Sequence, residues 1–395
     1  MEPAQPSASD SSDLRVPSYS LRQLTLYVLK LGSVGFGGPV ALIGYMHRDV
    51  VEERKWISEA DYKDGLALAQ LAPGPLAAQL AIYLGYVHYG VFGASLVGIA
   101  FVLPSFLMVL GIGWAYVVYG GLPWMQSVFY AVGASVIGII AVSAYRLTKK
   151  TVGVDFLLWM IYLCVMAITI VTESEIIAVF LASGLVAWLV KAPPKWLRKP
   201  SITSVVLFPL IGSFVIPQAN SNLLGQLFWF FTKAGAFVFG SGLAIVPFLY
   251  GGVVKEYGWL DDRQFVDAVA VAMITPGPVV ITVGFIGYLV AGFWGAVVAA
   301  TATFLPCYFF TILPAPYFKK YGRRADIAAC VAGVTAAATG AISGAVVVLG
   351  RRSIVDIPTL LMAITVVAIL LSTRKVPEPV LIAISAAIGF AIHLR

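Results

Sequence analysis

The stretch LAPGPLAAQL, residues 71–80, places two prolines and a glycine inside a run that is otherwise apolar enough to cross a membrane. Each proline removes a backbone donor and clashes with the preceding turn, so the carbonyl groups that it frees need other partners. The stretch therefore predicts a helix that ends near Pro73 at membrane depth and a second half-helix that starts at Pro75.

The composition is that of an integral membrane protein. Of the 395 residues, 60% are hydrophobic and 11% are charged, whereas roughly 25% of residues are charged in soluble proteins. Apolar runs of spanning length recur along almost the whole chain, which predicts an all-α polytopic membrane protein. Residues 1–18 are polar and rich in proline and serine, lack the pattern of a signal peptide, and are predicted to be a disordered cytoplasmic tail.

The sequence contains an internal repeat, because residues near 30–104 recur near 233–306. The duplication predicts two homologous halves: a first transmembrane repeat at 19–195, a linker with an extra crossing at 196–222, and a second repeat at 223–395. The matched residues in one register are Lys30 and Lys233, Glu53 and Glu256, Trp56 and Trp259, Asp64 and Asp267, and the PGP motifs at 73 and 276; after a slip of one residue, Pro104 matches Pro306.

Four basic loops indicate how the halves are oriented. The loops YRLTKK, KAPPKWLRK, FKKYGRR and STRK can all lie on the cytoplasmic side only if residues 201–218 cross the membrane once. This arrangement gives about 12–13 apolar segments and inverted halves, with Arg351 and Arg352 as the misfits. The number of full crossings stays open, because re-entrant PGP hairpins would lower it.

Inverted repeats with broken helices are typical of secondary transporters, which bind their substrate near the middle of the membrane. The segments WISEAD and WLDDRQ predict helix N-termini capped by Ser58 and Asp261. From each cap to its PGP motif the helix spans roughly 22 Å, which reaches membrane depth. A half-helix that starts there presents free N–H groups and the positive end of its dipole, a combination that suits an anion.

The predicted anion site combines the two PGP motifs with the glycine-rich segments GFGGP and VFGSG. Hydrogen-bond donors at equivalent positions one turn beyond the breaks, Gln79 and Thr282, are expected to add to the backbone amides. The symmetry mates Lys30 and Lys233 either meet the anion or a carboxylate or extend to an interface. The predicted substrate-binding residues are Gly37, Gly38, Pro73, Gly74, Pro75, Gln79, Gly240, Ser241, Gly242, Pro276, Gly277, Pro278, Thr282, Lys30 and Lys233.

Three further charged residues are candidates for coupling transport to a second ion. Asp64 and Asp267 come just before apolar stretches, so we expect them at the membrane surface, with proton coupling as the alternative. Arg48 follows the first span, where a solvated loop charge is the default interpretation. The net charge of +7 follows from the basic loops and does not predict nucleic-acid binding. The cysteine and histidine spacing predicts no metal, cofactor or catalytic residue.

The paired patterns FGGP…LAPGP…Q…YLGY…LP and FGSG…TPGP…T…GY…LP resemble the chromate ion transporter family in its long, two-domain form. The resemblance covers nearly the whole chain. It implies a multi-pass protein of the bacterial inner membrane that exports chromate, or a similar sulfate-like oxyanion, and confers chromate resistance. The implied partners are the lipid bilayer, the oxyanion, and a proton or counter-anion, with a homodimer as one option.

Other functions remain open from the sequence. A passive anion channel, or a carrier for sulfate uptake or exchange, would use the same architecture. A membrane-embedded enzyme acting on lipid-linked phosphates would need convergent acid–base or metal groups. The three histidines, His47, His88 and His393, are not spaced for such a site.

Overall fold

The computed structural model describes residues 19–35, 38–119, 123–173, 177–193, 223–238, 245–321, 324–373, 376 and 378–393, and this part of the chain is helical without strands. The predicted tail at 1–18 and the predicted crossing at 201–218 lie outside the described residues. The same holds for four predicted site residues, Gly37, Gly240, Ser241 and Gly242.

The first two helices form a hairpin that enters and leaves on one side. Helix α1 (Leu21–Val34) ends at the glycine-rich segment, and α2 (Gly38–Met46) runs back along it. The hydroxyl of Tyr27 in α1 donates to the carbonyl of Tyr45 at 3.3 Å and to the carboxylate of Asp49 at 3.1 Å. A π-helical turn, His47–Glu53, follows α2.

The first PGP motif forms the tip of a second hairpin. Helix α3 (Glu59–Leu71) leads to the motif, and α4 (Leu76–Tyr119) follows it, with a non-helical residue at Gly90. The ring of Tyr83 in α4 packs directly against Gly65 in α3. Residues on both sides of the tip thus pack against each other, which makes the segment from α3 to Gly90 re-entrant.

The second half repeats both hairpins. Phe230 in α8 (Leu223–Ala236) packs against Gly252, which lies beyond α9 (Ile245–Leu249) in a second π-helical turn, Tyr250–Glu256. Helix α10 (Asp262–Ile274) leads to the second PGP motif, and the 3₁₀ turn Val279–Ile281 continues into α11 (Thr282–Ile312), which is non-helical at Ala291 and Gly292.

Four apolar stretches, at 24–45, 66–88, 226–249 and 265–290, are therefore not single spans. Each is a hairpin whose break is set by glycine or by the PGP motif, because neither can continue a regular helix there. Four long apolar helices can cross a membrane, and four shorter apolar helices accompany them in the described chain.

The remaining helices form the rest of the bundle. These helices are α5 (Pro123–Thr151), α6 (Phe156–Thr172), α7 (Ile177–Lys191), α12 (Ala315–Tyr321), α13 (Ala325–Ser353), α14 (Ile357–Ser372) and α15 (Glu378–His393). The large contacts among them join α5 to α13, α14 and α15, and α13 to α6 and α7.

Contacts between helix ends show that the halves are inverted. Near the start of α5, Tyr130 donates to Asp356, which caps the start of α14. Near the end of α5, Arg146 donates to the carbonyl of Leu370 at the end of α14, at 2.5 Å. Since α13 ends just before Asp356, it ends on the side where α5 begins. The equivalent helices α5 and α13 thus run in opposite directions.

The four basic loops flank helix ends on one side of the bundle, which we call the basic side. Lys191 at the end of α7 pairs with Asp155 at the start of α6, at 2.6 Å, beside the end of α5. Helix α13 begins and α14 ends on this side as well. The opposite side, where α5 begins and α13 ends, is called the far side. Arg352 at the end of α13 lies on the far side, as expected from the sequence for a basic residue that does not fit the placement of the basic loops.

Candidate functional site

The two helices that lead to the PGP motifs, α3 and α10, begin at the predicted caps. The hydroxyl oxygen of Ser58 accepts from the amide of Asp61 at 3.0 Å, and the carboxylate of Asp261 accepts from the amide of Gln264 at 2.8 Å. Helices α3 and α10 each run for 13 residues before the chain breaks, a length of roughly 20 Å. Because the halves are inverted, α3 enters from the basic side and α10 from the far side.

The two PGP motifs meet and are cross-linked by backbone hydrogen bonds. The amide of Gly74 donates to the carbonyl of Val238 at 2.5 Å, and the amide of Gly277 donates to the carbonyl of Gly35 at 3.0 Å. Gly35 and Val238 occupy equivalent positions, at the breaks after α1 and α8. Each PGP loop therefore binds the broken segment of the opposite half.

Positive backbone angles explain the glycine at the centre of each motif. Gly74 has φ = 142° and Gly277 has φ = 99°, a region that residues with a Cβ rarely adopt. A Cβ on Gly277 would also overlap the hydroxyl oxygen of Ser105. The central glycine is thus required both for the turn and for the close approach of the opposite half.

A small cavity lies between the two motifs. Its volume of about 10 Å³ is space for roughly one water molecule. A tetrahedral oxyanion is several times larger, so the structure shows a closed form of the site. The lining residues come from both motifs and from α2, namely Pro39, Leu42, Pro75, Leu76, Ala77, Gly277, Pro278 and Val279.

The N-termini of the two half-helices that follow the PGP motifs face this cavity. The helices begin at Leu76 and Val279, one residue after the predicted proline starts. The first intrahelical bond of α4 runs from the amide of Gln79 to the carbonyl of Pro75, at 3.0 Å. The N–H groups before Gln79 have no acceptor within their own helix, and two positive dipole ends meet at one point.

The predicted side-chain donors both make a hydrogen bond within the protein. The amide nitrogen of Gln79 donates to the carbonyl of Pro73 at 2.7 Å, and the hydroxyl of Thr282 donates to the carbonyl of Ala268 at 2.8 Å. The fully buried side-chain oxygen of Gln79 has no hydrogen-bond partner among the described residues. As an acceptor, this oxygen would repel an anion.

Ser105 is a site residue that sequence reasoning missed. Its buried hydroxyl lies 2.7 Å from the carbonyl of Pro276 and 3.3 Å from the carbonyl of Gly32. Its equivalent in the second half is Cys307, a buried thiol whose Cβ lies beside Gly74. The match of Pro104 to Pro306 was the available signal, since both residues directly follow these prolines.

The predicted charged residues lie away from the cavity. Lys30 is exposed and Lys233 is half-exposed on α1 and α8, and neither lines the cavity. Arg48 is an exposed side chain that pairs with Asp49 at 2.8 Å, which agrees with its default interpretation. These three residues contribute no contact to the closed site.

The two aspartates, both expected at the membrane surface, differ in burial. Asp267 is only 3% exposed and accepts a hydrogen bond of 2.8 Å from the hydroxyl of Tyr116, whereas Asp64 is half-exposed. The equivalent of Tyr116 in the second half is Phe318, which has no hydroxyl. The asymmetry leaves Asp267 as the buried carboxyl of the pair.

A wider groove lies elsewhere, between α5, α6 and α13. Its volume is about 490 Å³, and its lining includes Lys149, Trp159, Tyr162 and Ser343. It contains no residue of either PGP motif. The convergence of the two inverted hairpins is therefore the candidate site, and this groove is the alternative location for a ligand.

Comparisons with known proteins agree with this architecture. The family model described as "Chromate transporter" matches the chain twice, at residues 22–188 and 225–390. The chain belongs to the chromate transporter family. The two matches cover the two inverted halves, so each PGP hairpin lies within one copy of the family's domain. Membership of a transporter family also argues against the lipid-phosphate enzyme.

Several relatives of this chromate transporter family member are similar over almost their full length. A protein of Cupriavidus metallidurans named "Chromate transport protein" is 68% identical, covering 95% of this chain and 94% of that protein. A "Probable chromate transport protein" of Synechococcus elongatus is 65% identical, with 94% and 96% covered. A "Chromate transport protein" of Pseudomonas aeruginosa is 30% identical, with 91% and 89% covered. No solved structure matches the chain.

Proposed function

We propose that this protein exports chromate, or a similar tetrahedral oxyanion, from the cytoplasm across the bacterial inner membrane and thereby confers chromate resistance. The observation that carries the proposal is the meeting of two inverted half-helix N-termini at one small cavity. Two dipole ends and their free N–H groups suit a doubly negative guest. The names of the relatives support chromate as that guest.

Binding requires the closed site to open. In the structure, the carbonyl oxygens of Gly35 and Val238 accept hydrogen bonds from the amides of Gly277 and Gly74. An oxyanion would replace these carbonyls as acceptor, and a charged acceptor forms the stronger hydrogen bond. The reciprocal pairs therefore keep the amide donors satisfied between transport cycles and prevent their exposure to lipid.

The electrical driving force favours export. With a negative cell interior, moving each unit charge outward gains about 2.3 kcal/mol per 100 mV, and a dianion gains roughly twice that. Uncoupled efflux is thus energetically sufficient. A proton-coupled carrier is the second candidate, and the buried carboxyl of Asp267 with its Tyr116 contact favours it over the passive channel.

The test is uptake of radiolabelled chromate into everted membrane vesicles, in which export from the cytoplasmic face appears as uptake. We expect uptake that is driven by a membrane potential positive inside the vesicle and that is reduced by sulfate and molybdate. Vesicles without the protein are the control. Uptake that equals this control would contradict the proposal. So would uptake that phosphate inhibits more strongly than sulfate or molybdate, the two oxyanions that share the shape and charge of chromate.

A further inference from the structure

The two half-helices that lead to the PGP motifs are equivalent in sequence position but differ in how they are covered. In α10, nine consecutive residues at 265–273 are buried, whereas α3 is buried only at Tyr62, Gly65, Leu68 and Ala69. One turn before the motif, Gln70 in α3 is exposed, and its equivalent Met273 in α10 is 5% exposed. Access to the site therefore differs between the basic side and the far side.

The exposed face of α3 is polar, which indicates contact with water rather than with lipid. Lys63 and Gln70 are exposed on it, and Asp64 is half-exposed. The equivalents of the first two in α10 are Val266 and Met273, both buried. Polar side chains thus accompany the open face of α3 from the basic side toward the first PGP motif, whereas the matching part of α10 is filled by buried side chains that are apolar except for Asp267.

Four charged residues hold the outer end of α10 against the rest of the bundle. They are Glu173 at the end of α6, Lys255 in the second π-helical turn, Asp262 at the start of α10 and Arg352 at the end of α13, and we call them the far-side cluster. Arg352 donates to Asp262 and, at 2.6 Å, to Glu173. Lys255 pairs with Glu173 at 2.7 Å, and the guanidinium of Arg352 lies over the ring of Tyr250.

The matching place on the basic side is built differently. The equivalent of Asp262 is Glu59, which pairs with His47 at 2.9 Å and with Lys63 at 3.1 Å. Both of these residues belong to the hairpins of the first half themselves. The described ion pairs of Glu59 thus stay within the hairpins of the first half, whereas the far-side cluster ties α10 to α6 and α13.

We infer that the far-side cluster is the closed outer gate of the anion pathway and that α3 lines an open vestibule on the basic side. The inference rests on the transport function proposed above. Arg352 is the central positioning residue, because it alone contacts carboxylates of both α10 and α6. Opening the pathway to the far side requires these contacts to separate so that α10 can move from the bundle.

The test compares two matched cysteines, Gln70→Cys and Met273→Cys, by their labelling with a membrane-impermeant maleimide. Everted vesicles expose the basic side to the reagent, and intact cells expose the far side. We expect Gln70→Cys to be labelled from the basic side at least tenfold faster than Met273→Cys from the far side. The background protein has serine in place of the native cysteines Cys164, Cys307 and Cys330.

Opening the gate should raise the rate at which Met273→Cys is labelled from the far side. Arg352→Gln is expected to increase far-side labelling of Met273→Cys about tenfold, and Arg352→Lys, which keeps the charge, should restore most of the protection. The neighbouring exposed Arg351→Gln is the matched control and should change nothing. Gel filtration and thermal unfolding of each purified variant identify any that fail to fold.

Two results would overturn the inference: equal labelling of the two cysteines from their respective sides, or an unchanged Met273→Cys rate in folded Arg352→Gln protein. Labelling needs no substrate, so it separates the gate from the proposed function. Vesicles that carry no chromate but show the expected labelling would refute chromate as substrate and leave the gate intact. Normal chromate uptake with equal labelling would do the reverse.

Discussion

Replacing Ser105 by alanine should weaken chromate transport through the second PGP loop. The buried hydroxyl holds the carbonyl of Pro276 at 2.7 Å, directly before Gly277, whose amide we assign to anion binding. Leaving a buried carbonyl without this donor costs about 1–3 kcal/mol. If this hydrogen bond stabilises the loop in the position that binds the anion, losing about 1–2 kcal/mol of that stabilisation corresponds to a five- to thirtyfold rise in KM for chromate.

The assay is the initial rate of radiolabelled chromate uptake into everted vesicles over a range of concentrations, normalised to the amount of protein. The matched control is Cys307→Ala, at the equivalent position beside Gly74. Because a thiol is a weak donor, we expect its KM to change less than about twofold. An unchanged KM in Ser105→Ala, or an equal rise in Cys307→Ala, would refute the assignment of Ser105 as a clamp on the second loop.

Three further predictions follow from the same contacts. Gly277→Ala should abolish measurable uptake, because its positive φ costs about 1–3 kcal/mol for a residue with a Cβ and the added carbon meets a buried hydroxyl; near-normal uptake by this variant would contradict the packing. The double variant Gln79→Ala with Thr282→Ala should reduce uptake at normal expression, since both side chains brace the hairpin tips, and full flux would remove them from the site. Lys255 beside Glu173 holds the pKa of that carboxyl below its usual range, so the stabilisation by this ion pair is present above that range and is lost as the pH falls through the lowered pKa. Far-side labelling of buried α10 cysteines should therefore stay slow from pH 8 down to about pH 5. A rise in the labelling rate near pH 6.5 would point to another group.

Much of the fold follows from the sequence. The repeat, the helix breaks at both PGP motifs and the caps at Ser58 and Asp261 are local features, each set by a few neighbouring residues. The inversion followed from four basic loops, because their charge can be summed without knowing any contact. These predictions succeed where the physical cause lies within a short stretch of chain or in a count.

The re-entrant path of the hairpins could not be decided from hydropathy. A hairpin that returns to its own side and a broken helix that crosses the membrane have the same apolar length, and only contacts between distant residues separate them. The packing of Tyr83 on Gly65 and of Phe230 on Gly252 is such evidence. Each contact places an aromatic ring on one side of the break against a glycine on the other side.

The hydrogen bonds at the candidate site could not be predicted from the sequence. The sequence shows which residues can donate hydrogen bonds, but it does not show which donors are already used. Gln79 donates to the carbonyl of Pro73 in the PGP turn, and Thr282 donates to the carbonyl of Ala268 within α10. Ser105 escaped notice because it lies outside the motif, in the transmembrane part of α4, and acts on the opposite half.

The two aspartates illustrate a further limit. Asp64 and Asp267 are equivalent in sequence, so the same location was expected for both. Their surroundings differ because α5, α13 and α15 cover α10, whereas one face of α3 stays open. Conformational asymmetry between two homologous halves is not encoded at the matched positions themselves and needs the structure of the whole bundle.

The central claim is that the two inverted PGP hairpins hold the oxyanion between their glycine amides. The most direct measurement is the position of chromium, by anomalous X-ray scattering, in crystals of the chromate complex. The account predicts one chromium site between the motifs, within hydrogen-bond reach of Gly74 and Gly277, with the carbonyls of Val238 and Gly35 displaced from those amides. Chromium bound instead in the groove beside Lys149, with both cross-linking bonds intact, would contradict it.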